Sequence, residues 1–160
     1  MTGLRYVAMP SEIAGSFRDG QPDQHGQPPE RHVSDGSGVP CRHCLQDVAA
    51  GEPFLILAWR PFPAAQPYAE TGPIFLHAEA CARHGEANGM PAMFRRREHF
   101  LLRGYGHDDR IVYGSGQVVA TADLEPAARA LLDEPAIAYL HIRSARYNCY
   151  QCRIERAPTP

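Results

Sequence analysis

At 160 residues the chain fits one hydrophobic core, and the expectation is a single domain over residues 1–160. A formal net charge of −2 argues against a nucleic-acid binder, because non-specific binding to a polyanion draws on a net basic surface. No apolar run approaches the roughly 20 residues of a membrane-spanning helix, and the 14 glycines and 15 prolines predict a turn-rich architecture.

Leu4–Ala8 alternates weakly as a first strand, and the stretch Pro10–Arg18 predicts a short helix capped by Ser11 and stopped near Gly20. From Gly20 to Pro40 glycines and prolines recur and no periodicity survives, which predicts a long loop. Strands follow at Phe54–Trp59 and Gly72–His77, and a helix is predicted to begin over Glu79–Arg83 and to fail by Asn88-Gly89. Phe100–Tyr105, Arg110–Tyr113 and Gln117–Ala120 read as further strands, and the Arg95-Arg-Arg97 run between them and the preceding helix reads as a solvated helix face.

The amphipathic spacing of Leu124, Ala127, Ala128, Leu131 and Leu132 predicts a helix capped by Asp123 and ended by Pro135. Beyond it runs the strongest strand pattern, with Ala138, Leu140 and Ile142 on one face and Ile137, Tyr139, His141 and Arg143 on the other. His141 is expected to be a core histidine with its hydrogen bonds satisfied. The class that emerges is α+β, a largely antiparallel sheet with a few short helices.

The five cysteines include two C-x-x-C pairs. The first ten residues lack the pattern of a secretory leader, which predicts a cytoplasmic protein. In a reducing compartment such pairs are metal ligands or working thiols more often than disulfides. Cys41-x-x-Cys44 lies in a glycine- and proline-bounded loop, so two thiolates can reach one zinc from a tight knuckle. His77, at a strand end, and Cys81 have the spacing to complete a four-ligand site. The stretch from Cys41 to Cys81 resembles a treble-clef zinc finger, with three residues rather than two between His77 and Cys81.

Cys149-Tyr-Gln-Cys152 is an alternative metal or redox pair. If its strand simply continues, the two thiols point to opposite faces and cannot converge; a sharp bend at Asn148 would change that. A nucleophilic reading assigns Cys81, with His77 or His84 one helical turn away, as an activated thiol. Inert burial is the third alternative for these cysteines.

Arg143, Arg146 and Tyr147, at the polar end of the strand that carries His141, offer paired donors and fixed positive charge suited to a carboxylate or phosphate. Arg60–Pro63 and Tyr68–Glu70 could complete that pocket, and pairing of the arginines with acids of the chain is the competing reading.

The stretches Gly26–Gly36, Pro40–Leu45, Gly72–Ala78 and His141–Ile154 together resemble a bacterial family, domain of unknown function 1203. That resemblance implies a small single-domain bacterial protein and brings no activity or catalytic residues with it. The reading is a zinc-stabilised domain that binds a small anion or a protein segment; the alternative is a thiol-dependent enzyme or redox protein using Cys81 or the C-x-x-C cysteines.

Overall fold

The computed structural model describes residues 2–160 as an α+β fold of two antiparallel sheets. Eight strands run in chain order as β1 (Leu4–Val7), β2 (Glu30–Val33), β3 (Pro53–Trp59), β4 (Gly72–His77), β5 (His99–Tyr105), β6 (Gln117–Ala120), β7 (Tyr139–Ser144) and β8 (Tyr150–Arg156). Two α-helices, α1 (Ser11–Arg18) and α2 (Leu124–Leu132), complete the fold with three short 3₁₀ turns. The larger sheet has the order β1-β8-β7-β5-β6 and the smaller β2-β3-β4. No helix among the described residues is long and apolar enough to cross a membrane.

Alternation in β7 sorts the larger sheet into two faces. Leu140 and Ile142, with Leu102, Phe100, Cys152 and Ile154 from the neighbouring strands, pack against Leu124, Ala128 and Leu132, which recur one helical turn apart along α2. The opposite face carries Tyr139, His141 and Arg143. Ile137 and Ala138 precede the first paired residue of β7 and escape its alternation, so Ile137 joins the α2 core and Ala138 the other side, the reverse of the sequence expectation.

The strand through Arg143 does not simply continue to 154 but folds into a hairpin. Asn148 has φ 57 and turns β7 back into β8. A bulge follows, since Ile142 pairs with Cys152 but Arg143 pairs with Tyr150, leaving Gln151 as the extra residue. The bulge puts Tyr150 on the His141 face while Cys152 stays in the α2 core.

Other local expectations are revised. The 20–40 stretch contains β2, an edge strand exposed along its whole length and paired with β3, so it carries no one-face pattern to read. Arg110–Tyr113 forms only an isolated bridge, Ile111 to Tyr105. Ser11 lies inside α1 rather than capping it, and its hydroxyl meets His43 instead. Asp123 makes no cap bond, because its near-helical φ −99 and ψ 2 do not turn the carboxylate back on the first turn. The helix expected from Glu79 is absent; its six residues before Gly85 are too few for a stable nucleus, and their polar groups are bonded elsewhere in the fold. Arg95 and Arg96 end a 3₁₀ turn over Ala92–Arg96 and are exposed, while Arg97 is half-buried and paired with Asp47.

Candidate metal centre

Cys41 and Cys44 sit on a small hairpin knuckle that joins the two sheets. Pro40 bridges Asp47, the Cys41 N–H donates to Gln46 O at 3.0 Å, and the Leu45 N–H donates to Cys41 O at 3.0 Å. Closing so tight a loop places buried Leu45 at φ 53, a left-handed conformation that a non-glycine residue holds only when its surroundings fix it. A parallel bridge from Cys41 to Phe75 then ties the knuckle to β4.

The same bridge brings His77, the last residue of β4, to the knuckle, where its N–H lies 3.3 Å from Cys41 Sγ. The irregular segment after β4 delivers Cys81. One donor atom from each of Cys41, Cys44, His77 and Cys81 lies within 4.8 Å of every other, a group that could hold a metal ion. Cys41 Sγ and Cys81 Sγ are 3.9 Å apart, and Cys44 Sγ and His77 Nδ1 are 3.4 Å apart.

These spacings can be set against a tetrahedral zinc. Bonds of about 2.3 Å to sulfur and about 2.0–2.1 Å to nitrogen give edges of roughly 3.8 Å between sulfurs and roughly 3.6 Å between sulfur and nitrogen. The Cys41 to Cys81 and Cys44 to His77 edges match to within a few tenths of an ångström, and the remaining pairs lie within 4.8 Å, so the group could close on an ion with small side-chain shifts. A sulfur separation of 3.9 Å is far outside disulfide bonding, and all five cysteines are free.

The surrounding residues hold the group from two sides. Glu52 Oε2 lies 3.5 Å from His77 Nε2, which leaves Nδ1 to face the thiols. Arg18, at the end of α1, donates from Nε to His77 O at 3.0 Å and from Nη2 to Cys81 Sγ at 3.0 Å. His43 Nδ1 lies 3.1 Å from Cys81 Sγ, and its Nε2 is 2.8 Å from the Ser11 hydroxyl.

Charge is unevenly shared among the sulfurs. Hydrogen bonding with Cys44 and then Cys81 holds the Cys41 thiol well below its ordinary pKa, and the same contacts with Cys41 push Cys44 and Cys81 up. Hydrogen bonding with Cys41 likewise raises His77, whereas burial lowers His43.

A family model described as a protein of unknown function (DUF1203) matches residues 38–156. The chain belongs to this family. The DUF1203 match spans the knuckle, His77, Cys81 and the β7–β8 hairpin, while Ser11 and Arg18 come from the segment before it. No curated protein and no solved structure matches the chain.

The remaining sequence candidates separate. Cys149 lies half-exposed in the β7–β8 turn and Cys152 is fully buried, so the bend at Asn148 does not unite them. His84 presents Nε2 to Gly89 O, not to Cys81, and the imidazole beside Cys81 is His43, whose signal was its place inside the C-x-x-C. His141 is fully buried but has no partner on either ring nitrogen among the described residues; it is enclosed by Phe62, Tyr105, Tyr139 and Tyr150.

Arg143 does not share a pocket with Arg146 and Tyr147. It is buried on the His141 face, bonded to Asn148 and paired with Glu70 at 3.0 Å, so Glu70 occupies the place expected for a ligand. Arg146 and Tyr147 lie exposed on the opposite side of the turn. There they line a cleft of about 1020 Å³ together with Cys149 and Arg42, the second residue of the knuckle.

Proposed function

We propose that this DUF1203 protein is a cytoplasmic, non-catalytic binding domain stabilised by one structural zinc and taking a small anionic ligand. The observation that carries the zinc reading is the four-donor group, three sulfurs and one imidazole nitrogen that all lie within 4.8 Å of one another. Soft thiolates with one imidazole favour zinc over calcium or magnesium, which take oxygen ligands. Four protein ligands complete the tetrahedron and leave no open position for a metal-bound water, which supports a structural role. Three thiolates and a neutral imidazole on a divalent ion carry one net negative charge, and Arg18 lies against it.

A second reading has specific support, because half-exposed Cys81 lies between Arg18 and a His43 that is itself held by Ser11. In a metal-free protein this pair is arranged as a thiol and base would be.

Elemental analysis with a count of reactive thiols separates the two. On the zinc reading, protein purified without chelator or affinity metal carries one zinc per chain, and Cys149 alone reacts before chelation. Cys41, Cys44 and Cys81 follow once metal is removed, and buried Cys152 reacts on denaturation. Absence of metal with rapid native alkylation of Cys81 overturns the zinc reading in favour of the thiol enzyme.

A further inference from the structure

We infer that the cleft beside the zinc knuckle is a binding site for a small organic anion, a carboxylate or phosphate carried on an apolar body, with Arg42 and Arg146 receiving its head group. The inference deepens the ligand half of the proposed function and rests on that half, not on the metal.

The argument begins with Arg42. Its residue is only 2% exposed, yet its guanidinium pairs with no carboxylate among the described residues. Nε donates to Tyr150 O at 2.7 Å, Nη1 donates to Pro40 O at 2.6 Å, and the plane lies against the Phe75 ring at 5.6 Å. Those contacts fix the group and spend two of its nitrogens on neutral carbonyls, leaving Nη2 without a partner and the guanidinium without a paired carboxylate among the described residues. A buried charge without a counter-ion is costly, and sites that bind ions are where such a charge persists.

The cleft that Arg42 lines supplies what the charge lacks. Its volume of about 1020 Å³ is at the upper end for small-molecule sites. Arg146 stands exposed at its rim beside Tyr147, and Arg96 and Arg97 line it as well. Asp47 already pairs with both of these, at 3.5 Å and 3.1 Å, and Glu98 is the other carboxylate of the lining. Four arginines against two carboxylates give a positive cleft on a chain of net charge −2. Phe75 and Val118 provide the apolar wall that selects an organic anion over a bare ion.

Calorimetric titration of the full chain as purified, without chelator or added metal, with octyl phosphate, octanoate and octanol tests the site. Both anions are expected to bind saturably, with octanol at least about tenfold weaker, since the charged head supplies the charge-assisted bonds. Arg146→Glu, a surface change that leaves the knuckle intact, should weaken both anions at least about tenfold. Arg110→Glu, an equal charge change against Tyr68 and away from the cleft, should alter them less than about twofold. Bound anion should also slow alkylation of Cys149, which lines the cleft.

The inference is overturned if neither anion binds, if octanol binds as tightly, or if the two charge variants lose affinity equally. Zinc content measured on the same samples keeps the two proposals apart: zinc present without anion binding sinks the cleft alone, and anion binding by zinc-free protein sinks the zinc reading alone.

Discussion

The Arg18 guanidinium touches Cys81 and the residue four positions before it: Nη2 lies 3.0 Å from Cys81 Sγ while Nε donates to His77 O at 3.0 Å. One side chain from α1 thereby ties together two residues of the group that could hold a metal. Arg18→Met should lower zinc affinity about 10–100-fold without abolishing binding, the usual cost of removing a group that orients a ligand. Competition with a chelator of known affinity measures it. A lowered melting temperature with unchanged zinc affinity would make Arg18 a packing residue only.

Loss of a ligand should be more severe. A structural zinc contributes about 10–16 kcal/mol in small zinc domains, comparable with the whole stability of an ordinary domain at about 5–15 kcal/mol. Cys44→Ser is expected to lose the metal and the cooperative melt of the smaller sheet, and excess chelator should do the same to the natural protein. Cys149→Ser, in the exposed turn, should do neither. Circular dichroism melts with and without chelator decide the matter.

His141 links stability to pH. Burial first, then the charges of Arg143, Arg153 and Arg103, hold its pKa well below the ordinary 6.5, so the folded ring is neutral. The unfolded chain takes up a proton as pH falls below 6.5 and the folded chain does not. The unfolded state is therefore favoured progressively, by about 1.4 kcal/mol per pH unit at full slope, and the stability is intact above that pH. His141→Phe should flatten the loss between about pH 6.5 and 5.5 and change stability at pH 7 by no more than about 1–2 kcal/mol. Denaturant melts across that window, compared with the natural protein, test this; equal slopes would refute it.

Glu70 fastens an irregular segment over the same face. It reaches Arg103 at 2.9 Å and the buried Arg143 at 3.0 Å, while Phe62 from that segment packs on His141. Glu70→Gln should cost about 1–2 kcal/mol: Arg143 loses its partner, but Glu70 is itself 44% exposed and its pairs are screened by solvent. Anion binding in the cleft should be unaffected, since neither Glu70 nor Arg143 lines it.

The elements legible in the sequence are those whose pattern is set by their own neighbours. β3 and β4 read as apolar runs, and α2 announces itself by Leu124, Ala128 and Leu132. β2 was not legible because an edge strand exposed on both faces has no periodicity. The helix expected after His77 was misread for a related reason: its local pattern favoured a helix, but Arg83 and the backbone of His84 bond to distant carbonyls.

For the site, the types and spacing of Cys41, Cys44, His77 and Cys81 pointed to a metal, because ligand chemistry resides in residue type and a knuckle is a local structure. What surrounds them was hidden. Arg18, His43 and Glu52 approach from α1, the knuckle and the start of β3, and no sequence interval shows that they meet.

By itself, then, the sequence determined an antiparallel α+β class, four residues that come together as a group able to hold a metal, and an arginine-rich turn. Only the tertiary structure decided which arginines could serve a ligand. One left-handed residue, Asn148, and one bulge at Gln151 send Arg143 under Glu70 and Arg146 to the cleft, beside an Arg42 that lies some hundred residues away in the chain. Strand alternation fixes a side chain's face only while the strand runs straight, and which charges are neutralised depends on contacts that chain separation does not encode.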